Sequence, residues 1–157
     1  MFSQPINSPK APKAIGPYSP AIKLGDFVYL SGQIAIDPFS GNLVDGGIKE
    51  QTKRALDNMK AILEEMGLSF YHVVKTTVFL ADINDFNDFN EVYATYFEPP
   101  YPARSAIGVA ALPRGAKVEI EAVVIDTLAY EQQAAGCQGC SGCSDDSKGG
   151  GCECCGE

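Results

Sequence analysis

Cysteine, histidine and long apolar segments are scarce in most of this 157-residue chain. Residues 1–136 contain no cysteine, so that part needs no disulfide and suits a reducing cytoplasm, which is the location we expect. The one histidine, His72, follows a turn at the start of a predicted strand, and we expect it at the surface. A Ser-His-Asp or Cys-His catalytic centre is therefore not expected.

Long apolar runs and basic residues are also lacking. No segment approaches the roughly twenty apolar residues of a membrane span. Five prolines interrupt the first twenty residues, so we expect no secretory leader there. Lysine and arginine total 12 against 20 acidic residues, a net charge of −8, and no basic stripe alternates with aromatic residues. We therefore expect neither a membrane nor a nucleic acid as partner.

The length suits one domain followed by a tail. We expect a folded domain over residues 1–130 and a flexible, cysteine- and glycine-rich tail over residues 131–157. The tail has almost no aliphatic residue with which to pack a core. It also holds five acidic residues and one lysine, and so carries half of the chain's net charge.

Hydrophobic periodicity predicts two helices. Apolar residues at steps of three and four predict an amphipathic helix over residues 48–66, ended by Gly67. A second helix, capped from within residues 82–85, carries an aromatic stripe, and Pro99-Pro100 ends it. The stripe consists of Phe86, Phe89, Tyr93 and Phe97.

Runs of β-branched and aromatic residues predict strands over 27–30, 73–80, 105–109 and 117–127. Ser31-Gly32 marks a backbone irregularity after the first of these. The order of the elements favours an α+β sandwich with both helices on one face of a mixed sheet. In the last strand Glu119 and Glu121 alternate with the core residues and point away from the helices, a pattern that favours association with another subunit.

Arg104 and these two glutamates are the leading candidates for chemistry, because they stand among apolar residues. The arginine fork matches a carboxylate, but a structural salt bridge to Glu119 or Glu121 explains it equally well. Either glutamate could be a proton-transfer group or an ion-pair partner, and alternation places both on one face without choosing between them.

Tyr18 and Ser31-Gly32 are further candidates. Tyr18 follows Gly16-Pro17 on a rigid turn, from which it could close a pocket or simply anchor the N-terminal segment. The glycine at Ser31-Gly32 permits a close approach of a ligand to the backbone, although a plain strand end is an equal alternative.

Six segments within roughly residues 8–130 are informative together: Ile15-Gly16-Pro17-Tyr18-Ser19-Pro20, Leu30-Ser31-Gly32-Gln33, Lys75-Thr76-Thr77-Val78-Phe79-Leu80, Ile83-Asn84-Asp85-Phe86, Pro102-Ala103-Arg104-Ser105-Ala106 and Glu119-Ile120-Glu121-Ala122. They resemble the Rid family, also called YjgF, of enamine and imine deaminases. The resemblance implies a chorismate-mutase-like fold with a six-stranded sheet. It also implies a homotrimer with a barrel-like interior and three active sites in clefts between subunits.

The resemblance also assigns roles. Arg104 would bind the carboxylate of a 2-imino acid, and Glu119 would position the water that hydrolyses it to a 2-oxo acid and ammonia. Asn90 would lie near the ligand, and the backbone at Ser105 and Ala106 would help to bind the carboxylate. Ala106 replaces a cysteine that many family members carry, which puts the substrate preference in doubt. No metal or organic cofactor is implied for this reaction.

Two other readings remain open. Rid relatives have also been described as translation inhibitors, ribonucleases and chaperone-like proteins, although the acidic body argues against nucleic acid. A sensor that binds a 2-oxo acid through Arg104 without turnover needs the same pocket.

The six cysteines of the tail are not part of the resemblance. Their spacing would allow several thiolates to share zinc, copper(I) or an iron–sulfur cluster. A redox-sensitive or interaction tail, or a tail without selected function, is the alternative. The candidate ligands are Cys137, Cys140, Cys143, Cys152, Cys154 and Cys155.

Overall fold

The structure is a computed structural model that describes residues 2–137, with side chains through residue 134. The chain divides after Thr127 into two units. The strands are β1 (Gln4–Ile6), β2 (Ala21–Leu24), β3 (Phe27–Gln33), β4 (Val73–Leu80), β5 (Ala103–Gly108) and β6 (Val118–Ile125). The helices are α1 (Ile48–Glu64), α2 (Phe86–Tyr93) and, in the second unit, α3 (Leu128–Cys137).

The first unit is a six-stranded sheet in the order β1-β2-β3-β6-β4-β5. The β4–β5 pair is parallel and every other pair is antiparallel, so the sheet is mixed. Helices α1 and α2 pack against each other, and α1 covers β3 and β6. The predicted α+β class, with both helices on one face of a mixed sheet, is confirmed.

The core lies between α1 and the middle of the sheet. Alternate residues of β6 are buried toward the helices, and they meet the apolar stripe of α1. Burying each Leu, Ile or Met side chain contributes about 1.5–3 kcal/mol, so truncating Ile120 or Leu56 would remove much of the unit's stability. Helix α1 ends at Glu64, two residues before the predicted end. Gly67, which was predicted to stop the helix, has a φ of 72°, and the Leu68 amide beyond it donates to the Leu63 carbonyl at 3.0 Å.

Several boundaries differ from those predicted. The proline-rich lead contains β1, which pairs with β2, and neither strand was predicted, because three or four residues carry little periodicity. Helix α2 ends at Tyr93 rather than at Pro99-Pro100. Phe97 nevertheless belongs to the core, where its ring stacks on Tyr93 with the centroids 4.2 Å apart.

The prediction that His72 lies at the surface is wrong, since only 8% of the residue is exposed. His72 ends a short 3₁₀ turn, Phe70–His72, which brings its ring back to Ser69, the residue that caps the turn. The Ser69 backbone amide donates to Nδ1 of His72 at 3.1 Å. The buried ring thus has a local hydrogen-bond partner, which periodicity alone could not reveal.

Helix α3 occupies a stretch for which the sequence predicted no helix. The tail cysteines from Cys140 onward lie outside the described residues, as does most of the predicted flexible tail. Within the described part, no helix is both long and apolar enough to cross a membrane.

Candidate active site

Arg104 lies on β5 at one edge of the sheet, level with Thr76 of β4. Thr76 is fully buried on the helix-covered face, where its hydroxyl shares a 2.9 Å hydrogen bond with the Tyr93 hydroxyl of α2. Residues level with each other on paired strands point to the same face. The Arg104 side chain therefore also lies on the helix-covered face.

Three aromatic rings of α2 support the Arg104 guanidinium. Its central carbon lies 4.6 Å from the ring centroid of Tyr93, 5.5 Å from that of Phe86 and 5.8 Å from that of Phe89. Such cation–π contacts are worth about 0.5–2 kcal/mol each, depending on how far the cation is desolvated. They fix the direction of the fork without neutralising its charge.

Arg104 has no ion-pair partner in the described part of the chain, because no carboxylate there lies within 4.0 Å of its guanidinium. The alternative of a structural salt bridge to Glu119 or Glu121 therefore does not hold within one copy. A cavity of about 390 Å³ opens beside the guanidinium, and its fork is available to a ligand there. The cavity is lined by Asn90, Tyr93, Ala94, Tyr101, Pro102 and Arg104.

Glu119 lies on β6, on the opposite and open face of the sheet, level with Phe79. Its side chain packs directly over Gly32 of β3. A methyl group built on Gly32 would lie 1.8 Å from the Oε1 atom of Glu119 and 2.7 Å from its Cδ atom. Only glycine leaves room for the carboxylate at this point. The predicted irregularity at Ser31-Gly32 is confirmed, because the β3–β6 register shifts there.

Burial raises the pKa of the half-buried Glu119 carboxyl above its ordinary value, and the negative charge of Glu121 raises it further. Both effects disfavour the charged form. A carboxyl group whose pKa moves toward neutrality can accept and return a proton more easily during a reaction. Glu119 lines a cavity of about 460 Å³ on the open face, whereas Glu121 lines a smaller one of about 150 Å³.

That cavity, of about 460 Å³, brings Tyr18, Ser31, Gly32 and Glu119 together. The Ser31 hydroxyl donates to the Ser19 carbonyl at 2.7 Å, and the Ser31 amide donates to the Pro20 carbonyl at 3.0 Å. These bonds fasten the segment that carries Tyr18 beside Glu119. The remaining walls are apolar or belong to a turn, and comprise Ile15, Ile34, Ile36, Pro113 and Arg114.

Two buried amides of α1 hold the frame of this cavity. Asn58 donates from Nδ2 to the Ile34 carbonyl at 3.1 Å and to the Ile36 carbonyl at 2.8 Å. The Oε1 atom of Gln51 accepts a hydrogen bond from the Lys117 backbone amide at 2.8 Å, just before β6 begins. Both ends of the cavity wall are therefore tied to the central helix.

The two cavities are well separated within one copy. Ile107 is the β5 residue level with Phe79 and hence with Glu119, and Arg104 lies three residues before it. With β4 between the two strands, standard strand spacings place the Cα atoms of Arg104 and Glu119 about 14 Å apart. Because their side chains also point to opposite faces, one copy cannot place both groups on the same small acid.

Ser105 and Ala106 follow Arg104 along β5 with alternating directions. The Ser105 hydroxyl points to the open face and accepts a hydrogen bond from Lys75 Nζ at 2.7 Å. Ala106 is level with Val78 and so returns to the helix-covered face. Neither residue lines the Arg104 cavity, and their backbone contact with a carboxylate stays a prediction.

Tyr101 and Arg114 line the two cavities but were not predicted. Tyr101 stands between two prolines, three residues before Arg104, and this closeness to Arg104 is the sequence feature that could have identified it. Arg114 stands between a proline and a glycine at φ 59°, and its Nη1 donates to the Gly41 carbonyl at 2.8 Å. Among the side chains that the structure describes, no group of three or more His, Cys, Asp and Glu could hold a metal ion.

Comparison with known proteins agrees with this architecture. Residues 8–126 match the family described as Endoribonuclease L-PSP. The 2-iminobutanoate/2-iminopropanoate deaminase of Homo sapiens is 58% identical over 120 residues, covering 76% of this chain and 88% of that protein.

Two solved structures share the fold and much of the sequence. RidA from the Antarctic bacterium Psychrobacter sp. PAMC 21119 superposes with a TM-score of 0.75 at 47% identity, covering 78% of this chain and 98% of that one. Escherichia coli TdcF with bound serine gives 0.73 at 42% identity, with the same two coverages. On the family match and the human relative, the chain belongs to the Endoribonuclease L-PSP family, which is the Rid (YjgF) family that its motifs resemble.

Proposed function

We propose that this chain is a hydrolytic deaminase that converts 2-imino acids to 2-oxo acids and ammonia. Enamines such as 2-aminoacrylate, which tautomerise to these imines, enter the same reaction, and their removal limits damage to pyridoxal-phosphate enzymes. The mammalian relatives named as 2-iminobutanoate/2-iminopropanoate deaminases support this activity. One observation carries the assignment of the site. The Arg104 guanidinium lies on three aromatic rings beside a cavity, and no carboxylate of the described residues pairs with it.

Arg104 binds the substrate carboxylate through two parallel N–H donors. A bidentate guanidinium fixes both the position and the plane of a carboxylate, which a lysine does not. In a 2-imino acid the C=N carbon is directly bonded to that carboxylate, so the electrophile is oriented at the same time. Asn90 and Tyr101 line the space that the substrate occupies.

Glu119 directs water to the C=N carbon and carries the protons. The water oxygen bonds to carbon as the π electrons of the C=N bond move to nitrogen, and Glu119 takes one water proton and returns it to that nitrogen. The second water proton moves from the new hydroxyl to the nitrogen as the C=O bond forms and the C–N bond breaks. Ammonia therefore leaves with both protons of the water. Acid–base catalysis of this kind contributes about 10²–10⁴ in rate.

No metal or organic cofactor is required for this reaction. The C=N carbon is already an electrophile, and protonation of the nitrogen makes it a better one. The protein therefore needs to supply only orientation, a positioned water and a proton carrier.

We propose that each active site combines the Arg104 cavity of one copy with the Glu119 cavity of its neighbour. A head-to-tail interface of this kind closes into a ring, which for this family is a homotrimer. The open face offers the apolar surface that such a contact needs, because several of its large side chains are more than a third exposed. They are Ile22, Leu24, Phe27, Tyr29 and Ile107.

A dehydratase-coupled assay tests the activity. Threonine dehydratase and L-threonine generate the imine, and the formation of 2-oxobutanoate is followed with and without the purified chain. We expect acceleration by the wild type, and a loss of about 100-fold or more in Arg104→Ala and in Glu119→Gln. Glu121→Gln, the same change two residues away on the same strand face, is the matched control and keeps most of the activity. A wild type without acceleration overturns the proposal.

A 2-oxo acid sensor is the main rival, and Glu119→Gln separates it from the enzyme. In the enzyme this variant loses turnover but still binds pyruvate, because the carboxylate is held by Arg104. In the sensor, wild type and variant both bind pyruvate and neither accelerates hydrolysis. A ribonuclease is less well supported, since the net negative charge and the absence of a basic aromatic stripe in the sequence disfavour nucleic acid.

For the cellular setting we propose the cytoplasm, with a small 2-imino or 2-oxo acid and two further copies of the chain as the only partners. The cysteine-free sequence before Cys137 is compatible with a reducing compartment.

For the tail we propose a soft metal ion or an iron–sulfur cluster bound by the cysteines between Cys137 and Cys155. Six thiols within nineteen residues, in C-x-x-C-x-x-C and C-x-C-C spacings, support this assignment. Metal content of the full chain purified without chelators is compared with that of a chain ending at Gln133. We expect metal only in the full chain and equal deaminase rates in both. Equal metal content in the two proteins removes the proposal.

A further inference from the structure

Two hydroxyl groups meet in the core behind the Arg104 cavity. Thr76 of β4 is fully buried, and Tyr93 of α2 is only 5% exposed. The Oγ1 atom of Thr76 lies 2.9 Å from the hydroxyl oxygen of Tyr93, so the two groups share a hydrogen bond. Both residues belong to one copy and lie on the helix-covered face, not on the open face assigned to contact between copies. The pair therefore forms without a neighbouring subunit.

Stability alone does not call for this pair. A buried hydrogen bond between neutral groups contributes little net stability, because both groups give up hydrogen bonds to water. Two apolar side chains of the same shape can pack in such a place nearly as well. A hydrogen bond differs from apolar packing in being directional. What the pair adds is a fixed position for the outer end of the Tyr93 ring.

The Tyr93 ring is the nearest aromatic support of the Arg104 guanidinium. The central guanidinium carbon lies 4.6 Å from its centroid, against 5.5 and 5.8 Å for the other two rings. Those two rings belong to Phe86 and Phe89, which have no polar atom with which to bind the sheet. Of the three rings, Tyr93 is thus both the closest to the guanidinium and the one that is anchored to the sheet by a hydrogen bond.

The Tyr93 ring is a neutral support and not a counter-ion. Burial raises the pKa of its hydroxyl above the ordinary value, so this group stays protonated. The ring therefore leaves the positive charge of Arg104 available to a ligand.

The hydroxyl pair ties the ring to the sheet beside the point where the Arg104 side chain begins. Thr76 is level with Arg104 on the neighbouring parallel strand. The backbone of Arg104 is fixed to β4 by strand pairing, and its guanidinium is fixed to β4 through Tyr93 and Thr76. Both ends of the arginine side chain are thus positioned from one place in the sheet.

We propose that Thr76 is a positioning residue for Arg104, acting through the ring of Tyr93. Thr76 is not among the residues that line the Arg104 cavity. Its hydroxyl holds the ring, the ring holds the guanidinium, and the guanidinium meets the substrate carboxylate in a fixed plane. A long side chain that is held in advance loses less conformational freedom when a ligand binds. The inference rests on the proposed function, since it assigns Thr76 to the carboxylate contact of that reaction.

Nuclear magnetic resonance of the full chain tests the geometry without ligand or turnover. The Nε–H signal of Arg104 is followed in proton–nitrogen correlation spectra and is assigned by its loss in Arg104→Ala. The ring current of Tyr93 shifts this signal according to how the ring lies against the guanidinium. Thr76→Val removes the hydroxyl and keeps the branched shape, and we expect it to displace the signal. Thr76→Ser keeps the hydroxyl, and we expect it to restore the wild-type position.

Pyruvate affinity, measured by calorimetric titration, is the second readout. We expect Thr76→Val to weaken pyruvate binding about fivefold, as loss of one hydrogen bond would, and kcat to stay within about twofold of wild type. A purely structural role would lower stability and leave this affinity unchanged. Tyr93→Phe should weaken binding to a similar extent. The double variant Thr76→Val/Tyr93→Phe should be no weaker than either single variant, because both changes remove the same hydrogen bond.

Thr52→Val is the matched control. Thr52 is equally buried in α1, and its hydroxyl has no hydrogen-bond partner among the described residues, so this variant should keep both the Arg104 signal and the pyruvate affinity. The proposal is overturned if Thr76→Val leaves the Arg104 signal in place, or leaves the pyruvate affinity of an active protein unchanged. It is also overturned if Thr76→Ser behaves like Thr76→Val, or if the two single losses add in the double variant.

Failure of the deaminase itself gives a different result. In that case the wild type neither accelerates hydrolysis nor binds pyruvate. If the Arg104 signal still moves in Thr76→Val and stays in place in Thr76→Ser and Thr52→Val, the deaminase proposal falls and the positioning of Arg104 by Thr76 stands.

Discussion

Replacing Gly32 by alanine tests whether the position of the Glu119 carboxylate controls the reaction. The new methyl group would lie 1.8 Å from Oε1 of Glu119 and 2.8 Å from its Cγ atom. The side chain must move by about 1 Å or more to restore ordinary contact distances of roughly 3.5 Å. Gly32 is not in the left-handed region, so alanine meets no backbone strain there.

The effect should fall on turnover rather than on folding. A displacement of about 1 Å in a catalytic group costs roughly 100-fold, and complete loss of an acid–base group costs about 10²–10⁴. We therefore expect kcat to fall about 100-fold in Gly32→Ala. Binding of pyruvate should change little, since Arg104 is untouched. The free energy of unfolding should stay within about 1 kcal/mol of wild type, because alanine also restricts the unfolded chain.

The dehydratase-coupled assay measures this effect, with Gly47→Ala as the matched control. A methyl group on Gly47 would meet its nearest atom, Oε2 of Glu50, at an ordinary 3.4 Å, and this variant should keep its turnover. The double variant Gly32→Ala/Glu119→Gln should be no slower than Glu119→Gln alone, since both changes act through one carboxylate. Wild-type kcat in Gly32→Ala, or a further 100-fold loss in the double variant, refutes this reasoning.

Three other predictions concern the same sites. Arg104→Lys keeps the charge but loses the fork, so KM should rise about tenfold or more with a smaller change in kcat, and wild-type kinetics would contradict the proposed carboxylate contact. Burial and the charge of Glu121 raise the pKa of Glu119. Glu121→Gln should therefore lower that pKa and move the acidic limb of the pH profile of kcat/KM to lower pH. An acidic limb that stays in place would contradict the interaction between the two carboxyl groups. Asn58→Ala leaves two buried carbonyls without their hydrogen-bond donor. The free energy of unfolding, measured by urea titration, should fall by about 2–4 kcal/mol. An unchanged urea midpoint would show that these two hydrogen bonds contribute nothing to stability.

The central elements of the fold could be predicted because their signals are local. Helix α1 shows its buried stripe within its own sequence, and β6 shows strict alternation over eight residues. Strands β1 and β2 have no such signal. Strand β1 pairs with β2 across a long proline-rich connection, and β2 also pairs with β3. His72 was misplaced for a related reason, since its conformation is set within a short turn, where the Ser69 amide donates to its Nδ1 atom at 3.1 Å.

The site could be predicted as a set of residues but not as a geometry. Arg104 and Glu119 stand out in the sequence as charges among apolar neighbours, and the family resemblance selects Glu119 over Glu121. The face of Arg104 depends on the parallel pairing of β5 with β4, which no local pattern specifies. The position of the Glu119 side chain over Gly32 depends in the same way on the shifted β3–β6 register. Separation of the two residues on opposite faces is thus a property of strand pairing.

Mixing two inactive variants tests the shared active site most directly. Arg104→Ala and Glu119→Gln chains are coexpressed in equal amounts, and the mixed assemblies are compared with each variant alone in the dehydratase-coupled assay. If each site takes Arg104 from one copy and Glu119 from its neighbour, random mixing makes about a quarter of the sites intact, and about a quarter of wild-type activity returns. Mixed assemblies as inactive as the separate variants would contradict a site built from two copies.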